Sequence, residues 1–306
     1  TGGVVPQGLD CVVPIELVVT SDNGFTVTVA APVAAGANIR PRGGDLRAGD
    51  EVVSAGVRLT PVRIGALAAA GVAEVAVHRR PRVAVLTTGT ELVPPGAPLG
   101  SGQIYESNGS LLAAQAEAAG CEVLRLAAVA DDEELHRAAI EQGLACDVLV
   151  TSGGVSVGPH DLVRRVAAGL GVQEVFWRVA VKPGKPVAFG VRGETLVFGL
   201  PGNPVSSLVA FELFVRPALL ALQGLALPLP RFEPGVLARP LRRGLRDELV
   251  RARTRVEDGS AAVVLEPLSG QDSHMIARAA DADALVWVPS GDGRPVDPRP
   301  VFRRVV

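Results

Sequence analysis

VLVTSGGVSVGPHD, residues 148–161, decides the fold. An apolar, β-branched run of strand length ends in a polar loop with three glycines, and HDLVRRVAAGLG continues at helical spacing. Strand, tight loop, helix is the unit from which an open α/β sheet builds a ligand crevice at the carboxyl ends of its strands. Three further loops of this kind are VAVLTTGTE (83–91), VAVKPGKP (179–186) and VFGLPGNPVSS (197–207). Glycines let backbone N–H groups approach an anion closely, and a helix N-terminus adds partial positive charge. Four such loops, with three carboxylates and two lysines, point to an anionic ligand and a metal ion.

Outward from this centre, the period alternates. RVAVLTTG, CEVLRLAAV, CDVLVTSGG, VFWRVAV, PVAFGV and TLVFGL read as strands. SNGSLLAAQAEAAG reads as a helix with Asn108 or Ser110 as N-cap and Gly120 as its stop. DDEELHRAAIEQGL and the long NPVSSLVAFELFVRPALLALQG are also helical. Alternation of this type predicts a mostly parallel sheet with helices on both faces. Upstream, DCVVPIELVV, FTVTVA and EVVSAGVRL are short β-branched runs divided by SDNG and PRGGDLRAGD, which predicts a β-rich segment over residues 1–60. Pro61 opens a helix that stops at Gly71, and AEVAVHRR reads as a strand, so 61–80 is a connecting helix and strand. Residues 81–224 form the α/β domain, the proline-rich LALPLPRFEP is a linker, and 235–306 return to short strands as a small β domain.

Composition narrows the function. The 306 residues predict about two domains. The chain is 48% hydrophobic but only 4% aromatic, so its cores are built from Val, Leu and Ala, as in parallel sheets buried on both faces. A net charge of −2 argues against a nucleic-acid partner held by phosphate contacts. The longest apolar runs, such as 67–77, read as too short for a membrane span, and no signal peptide opens the chain. Cys11, Cys121 and Cys146 are far apart and without a CxxC, which fits a reducing cytoplasm rather than a disulfide framework or zinc site.

The acidic residues carry two readings. Asp132 reads as the cap of DDEELHRAAI. For Asp131 a metal role and a capping role both stand. Glu91 and Asp161 each follow a strand, and carboxylates on neighbouring strand ends can share one Mg²⁺, a hard cation that prefers oxygen ligands. Lys182 and Lys185 bracket Pro-Gly, and the prolines stiffen the loop so that the lysines act as fixed point charges for an oxyanion. PGNPVSS combines a rigid turn, an open helix N-terminus and the Ser206 hydroxyl. GGVSVG matches neither GxxxxGK[ST] nor GxGxxG, which argues against a P-loop and a dinucleotide site. His160 reads as a surface residue.

TTGTEL, GQIYESN, Asp131–Asp132, TSGGVSVGPHD, KPGKP and GLPGNPVSS, in this order and spacing, resemble the MoeA-type molybdopterin molybdenumtransferases and the gephyrin E domain. The similarity runs over the whole chain. TGGVVPQGLDCVVPIE and NIRPRGGDLRAGD resemble parts of the family's N-terminal half; the DNSAMDGYA-like segment that precedes them in the family is not in this sequence. The resemblance implies a multidomain α/β plus β fold with a central MogA/MoaB-like domain. It also implies Mg²⁺-dependent insertion of molybdate into adenylylated molybdopterin, release of AMP, and a homodimer, with a MogA-type protein as a further partner. Glu91, Asp131 and Asp161 correspond to the acidic metal and nucleotide positions. Lys182, Lys185, Pro201, Pro204 and Ser206 correspond to the oxyanion and pterin-phosphate pocket, with Gly153, Gly154, Ser156, Gly202 and Asn203 contacting substrate beside them. Arg251 and Ser273 correspond to oxyanion-contacting positions, and Thr1 and Asp45 to functional positions in the N-terminal half. The rival readings are a MogA-type adenylyltransferase and a non-catalytic scaffold of gephyrin type.

Overall fold

The computed structural model describes residues 2–21, 24–154, 162–257, 259, 262–297 and 300–305. It divides into two compact units, Thr1–Val75 and Ala76–Val306. In the first, β1 (Val18–Thr20) and β2 (Val27–Val29) pair antiparallel. Helix α1 (Pro61–Ala69) begins where expected: the Thr60 hydroxyl accepts the Arg63 N–H and proline occupies the first turn. It ends in a pair of reversed hydrogen bonds, Gly71 N–H to Ala68 C=O and Val72 N–H to Leu67 C=O. Two expected strands are not formed. EVVSAGVRL is a run of bends and turns, and AEVAVHRR is irregular. Both have strand composition, but strand formation needs a partner ladder, and neither finds one among the described residues.

The second unit carries two sheets. The central one is formed by β3 (Arg82–Thr87), β6 (Glu122–Arg125), β7 (Val148–Ser152), β8 (Gln173–Trp177), β10 (Ala188–Arg192) and β11 (Thr195–Leu200), in the order β6-β3-β7-β11-β10-β8. The first four are parallel, and β10 and β8 add antiparallel at one edge. Two short strands, β4 (Leu92–Val93) and β5 (Ile104–Tyr105), pair beside it.

Side-chain alternation fills both faces. Val83, Val85, Val148, Val150, Phe198 and Leu200 meet α2 (Asn108–Ala118) and the long helix through Leu112, Phe211, Val215 and Leu219. Ala84, Leu86 and Leu149 meet α3 (Glu133–Gly143) and α4 (Leu162–Gly169) through Ile140, Val163 and Val166. Each fully buried Leu or Phe contributes roughly 1.5–3 kcal/mol. Two ends of these elements differ in how well the sequence foretold them. Asp132 does cap α3, accepting the Leu135 N–H. The cap of α2 is Ser107, without a side-chain bond, so neither Asn108 nor Ser110 is the cap.

The long helix consists of α5 (Pro204–Ala210), a π turn at Phe211–Val215 and α6 (Arg216–Leu222). By length and composition it could cross a membrane, contrary to the reading that no apolar run suffices. Its burial against the sheet and its internal Glu212–Arg216 ion pair mark it as a core helix. Glu212, fully buried, accepts from Gln115, Arg216 and Arg303 at 2.7–3.1 Å.

The C-terminal sheet contains β12 (Glu233–Pro234), β13 (Val236–Leu237), β14 (Asp247–Val256), β15 (Val263–Pro267), β16 (Ala284–Val288) and β17 (Val301–Arg304), with α7 (Ile276–Ala279) between β15 and β16. Its seventh strand, β9 (Val181–Lys182), comes from the KPGKP loop and pairs parallel with Asp247–Glu248. The chain leaves the central sheet at Arg178, whose φ of 72° is left-handed. The turn is held by the Arg178 N–H to Val187 C=O bond of 2.8 Å and by the guanidinium lying 3.9 Å from the Trp177 ring centre. The sequence placed KPGKP directly after a strand of the central sheet; instead, Val181 and Lys182 at its start pair with the other sheet.

Candidate functional site

A cleft of about 840 Å³ opens at the carboxyl ends of β3, β7 and β11. All four glycine loops reach its wall: Thr88 and Gly89 from the first, Gly153 and Gly154 from the second, Pro186 alone from the third, and Pro201, Gly202, Asn203 and Pro204 from the fourth. The loops approach each other closely because one of them has no side chain. Gly153 has φ +98°, and a Cβ there would stand 2.5 Å from the Thr88 carbonyl oxygen.

Glu91 and Asp131 also line the cleft. Asp131 is fixed by the neighbouring loop: Thr90 Oγ1 donates to its carboxylate at 3.1 Å and accepts its N–H at 3.2 Å. Among the described residues neither carboxylate forms a salt bridge and no lysine or arginine lines the cleft. The third acidic wall residue, Glu106, is satisfied internally, accepting the Gly109 N–H at 2.6 Å and pairing with Arg125 at 3.4 Å. Two unneutralised carboxylates on neighbouring strand ends offer the hard oxygen donors that suit Mg²⁺. Among the described residues no group of three or more potential ligands converges. The expected third member, Asp161, lies outside the described residues, as do Ser156 and Thr1. Asp45 is exposed in the N-terminal unit.

The two lysines stand off the cleft wall, although their neighbour Pro186 is part of it. Lys185 is exposed, and Lys182 Nζ sits 3.0 Å from Glu248 Oε1 on β14. Gly184, between them, faces the start of α5, where a Cβ would lie 3.6 Å from the Ser206 carbonyl. Ser206 itself is buried. The start of α5 is less open than the sequence suggested. The Val205 N–H donates to the Ser273 carbonyl at 3.0 Å, and Asn203 Nδ2 donates to Ser273 Oγ at 2.8 Å. The C-terminal domain thus caps this helix and brings His274 and Ile276 to the cleft.

Arg251, 2% exposed, donates to the carbonyls of Gly270, Asp272 and Met275 and to the Gln271 side chain. Burial pushes its guanidinium below the usual arginine range. In this arrangement it shapes the loop that carries Ser273.

Sequence reasoning missed Asn108. Its Nδ2 donates to Ser152 Oγ at 2.8 Å and to the Gly202 carbonyl at 2.7 Å, riveting the second glycine loop to the fourth. The one signal was its place in GQIYESN, where a helix-start position invited a capping role.

Three family matches divide the chain: the MoeA N-terminal region (domain I and II) at residues 1–71, the probable molybdopterin binding domain at 84–221, and the MoeA C-terminal region (domain IV) at 234–296. The molybdopterin molybdenumtransferase of Haemophilus influenzae is 44% identical over 225 residues, which is 73% of this chain and 55% of that one. Molybdopterin molybdenumtransferase 2 of Mycobacterium tuberculosis is 37% identical over 300 residues, 94% of this chain and 72% of the relative. Two crystal structures of the molybdopterin biosynthesis moeA protein of Pyrococcus horikoshii, 31% and 25% identical, each superpose with a TM-score of 0.76 over 99% of this chain and 74% of theirs. The chain spans just over half the length of the first of these relatives and about three quarters of the archaeal protein. The same three regions in the same order, the level of identity and the shared fold show that the chain belongs to the MoeA family of molybdopterin molybdenumtransferases.

Proposed function

We propose that this chain acts in molybdenum cofactor biosynthesis by inserting molybdate into adenylylated molybdopterin, with release of AMP. The observation that carries the reading is the meeting of the glycine loops with Glu91 and Asp131 in one cleft. Its chemistry would suit a phosphorylated pterin: the glycines leave room for a phosphate to approach the loop backbones closely, and the carboxylates would hold a cation. Glu91 and Asp131, with Asp161, would hold Mg²⁺, which supplies polarisation of the phosphoryl oxygens when bound. Lys182 and Lys185 would place the oxyanion, and Ser273 would complete its pocket from the C-terminal side. Asn203 and Gly202 would form the turn against which the substrate rests. A homodimer is part of the same proposal. It is supported by the exposed apolar side chains of the N-terminal unit, Val4 at 95% and Phe25 at 93%. A MogA-type protein would supply the adenylylated substrate.

The test is incubation with adenylylated molybdopterin, Mg²⁺ and molybdate while AMP is measured. The wild-type chain is expected to release AMP, Asp161→Ala to release none, and Lys182→Ala with Lys185→Ala to lose molybdate binding with the fold retained. Unchanged molybdate affinity in the double variant sinks the oxyanion assignment. ATP-dependent adenylylation of molybdopterin by the wild type would favour the adenylyltransferase reading instead.

A further inference from the structure

The geometry points to Glu248 as the resident counter-ion of Lys182, a residue that an incoming oxyanion must replace and that therefore sets oxyanion affinity. The inference rests on the proposal that Lys182 binds the oxyanion. Lys182 and Glu248 are direct partners in the parallel pairing of β9 with β14, so the sheet itself holds them side by side. Arg246 strengthens the junction by donating to the Val181 carbonyl at 3.1 Å. The two side chains differ in freedom. That of Glu248 is 17% exposed and fixed in a strand, whereas that of Lys182 is 54% exposed on a flexible stem. When the pair separates, the lysine moves and the glutamate stays.

A half-exposed pair of this kind is weakly held, so a dianion can compete for the ammonium. The ammonium has one charge to offer. A carboxylate 3.0 Å from Nζ occupies the place an oxyanion oxygen would take, and it repels a second anion brought to the same group. Glu248 accordingly keeps Lys182 against the C-terminal sheet, away from the cleft wall, until an oxyanion draws it off. Without Glu248 the lysine is free and the oxyanion meets no resident competitor.

The isosteric variant Glu248→Gln, in the full chain, tests this through molybdate titration at low ionic strength. Affinity is expected to rise about two- to fivefold, and the gain to vanish when Lys182→Gln is added, since the effect runs through that lysine. Equal or weaker binding in Glu248→Gln overturns the inference, as does a gain that persists without Lys182. A second measurement needs no ligand: acetic anhydride labelling of Lys182, mapped by mass spectrometry. Glu248→Gln should label several-fold faster, and an unchanged rate overturns the counter-ion role. Should molybdate fail to bind the wild type, the oxyanion reading falls, while the labelling comparison still decides whether Glu248 holds Lys182.

Discussion

The N-terminal unit and the remainder of the chain use apolar residues in opposite ways. In Thr1–Val75 no described side chain is buried, and Val4, Ile15, Phe25 and Val62 stand out from the surface. Ala76–Val306 is organised by four clusters of buried apolar residues spread over two sheets. Apolar content alone therefore does not make a core. A core needs elements long enough to present a face and a second layer to receive it. The N-terminal strands are three residues each, too short to present such a face.

That contrast can be broken in three places. The largest effect is expected at Glu212, where the second unit relies on charge as well as apolar burial. Glu212→Ala leaves Arg216 and Arg303 without their carboxylate and should cost about 3–5 kcal/mol in denaturant unfolding of the full chain. A loss under about 1 kcal/mol would show that the network is not what binds α2, the π turn and β17 together. Next comes Asn108→Ala, which removes both bonds between the second and fourth glycine loops and should cost about 1–2 kcal/mol. Amide exchange should quicken in peptides containing Gly153 and Gly202 and stay unchanged in the C-terminal sheet; uniform quickening would refute the rivet. The smallest change in stability is expected at Phe25→Ser, within about 0.5 kcal/mol for the monomeric chain because the residue is largely exposed. Sedimentation equilibrium should show weaker self-association of that variant, and undiminished association would remove Phe25 from the dimer proposal.

Much of the central domain was legible in the sequence because its signals are local. Val-rich runs ending in glycine loops mark parallel strands, and Asp132 sits three residues before the N–H that it caps. The cleft was legible for the same reason: strand ends of one sheet converge whichever helices lie between them. What escaped is long-range. Asn108 meets partners 44 and 94 residues away, so its local setting at a helix start suggested only a cap. The pairing of Val181–Lys182 with the C-terminal sheet involves two residues, too few to leave a periodic trace. Glu212 lies in a helix whose apolar pattern conceals that its charge is buried. AEVAVHRR had the composition of a strand and lacked the partner.

The same short strand has a kinematic consequence. Residues 177 and 188 are paired within the central sheet, while the chain between them is threaded into the C-terminal sheet at 181–182. The two domains are thus geared rather than merely joined. A rotation of the C-terminal sheet would carry the KPGKP loop with it, and Ser273 would pull on the start of α5 in the same stroke.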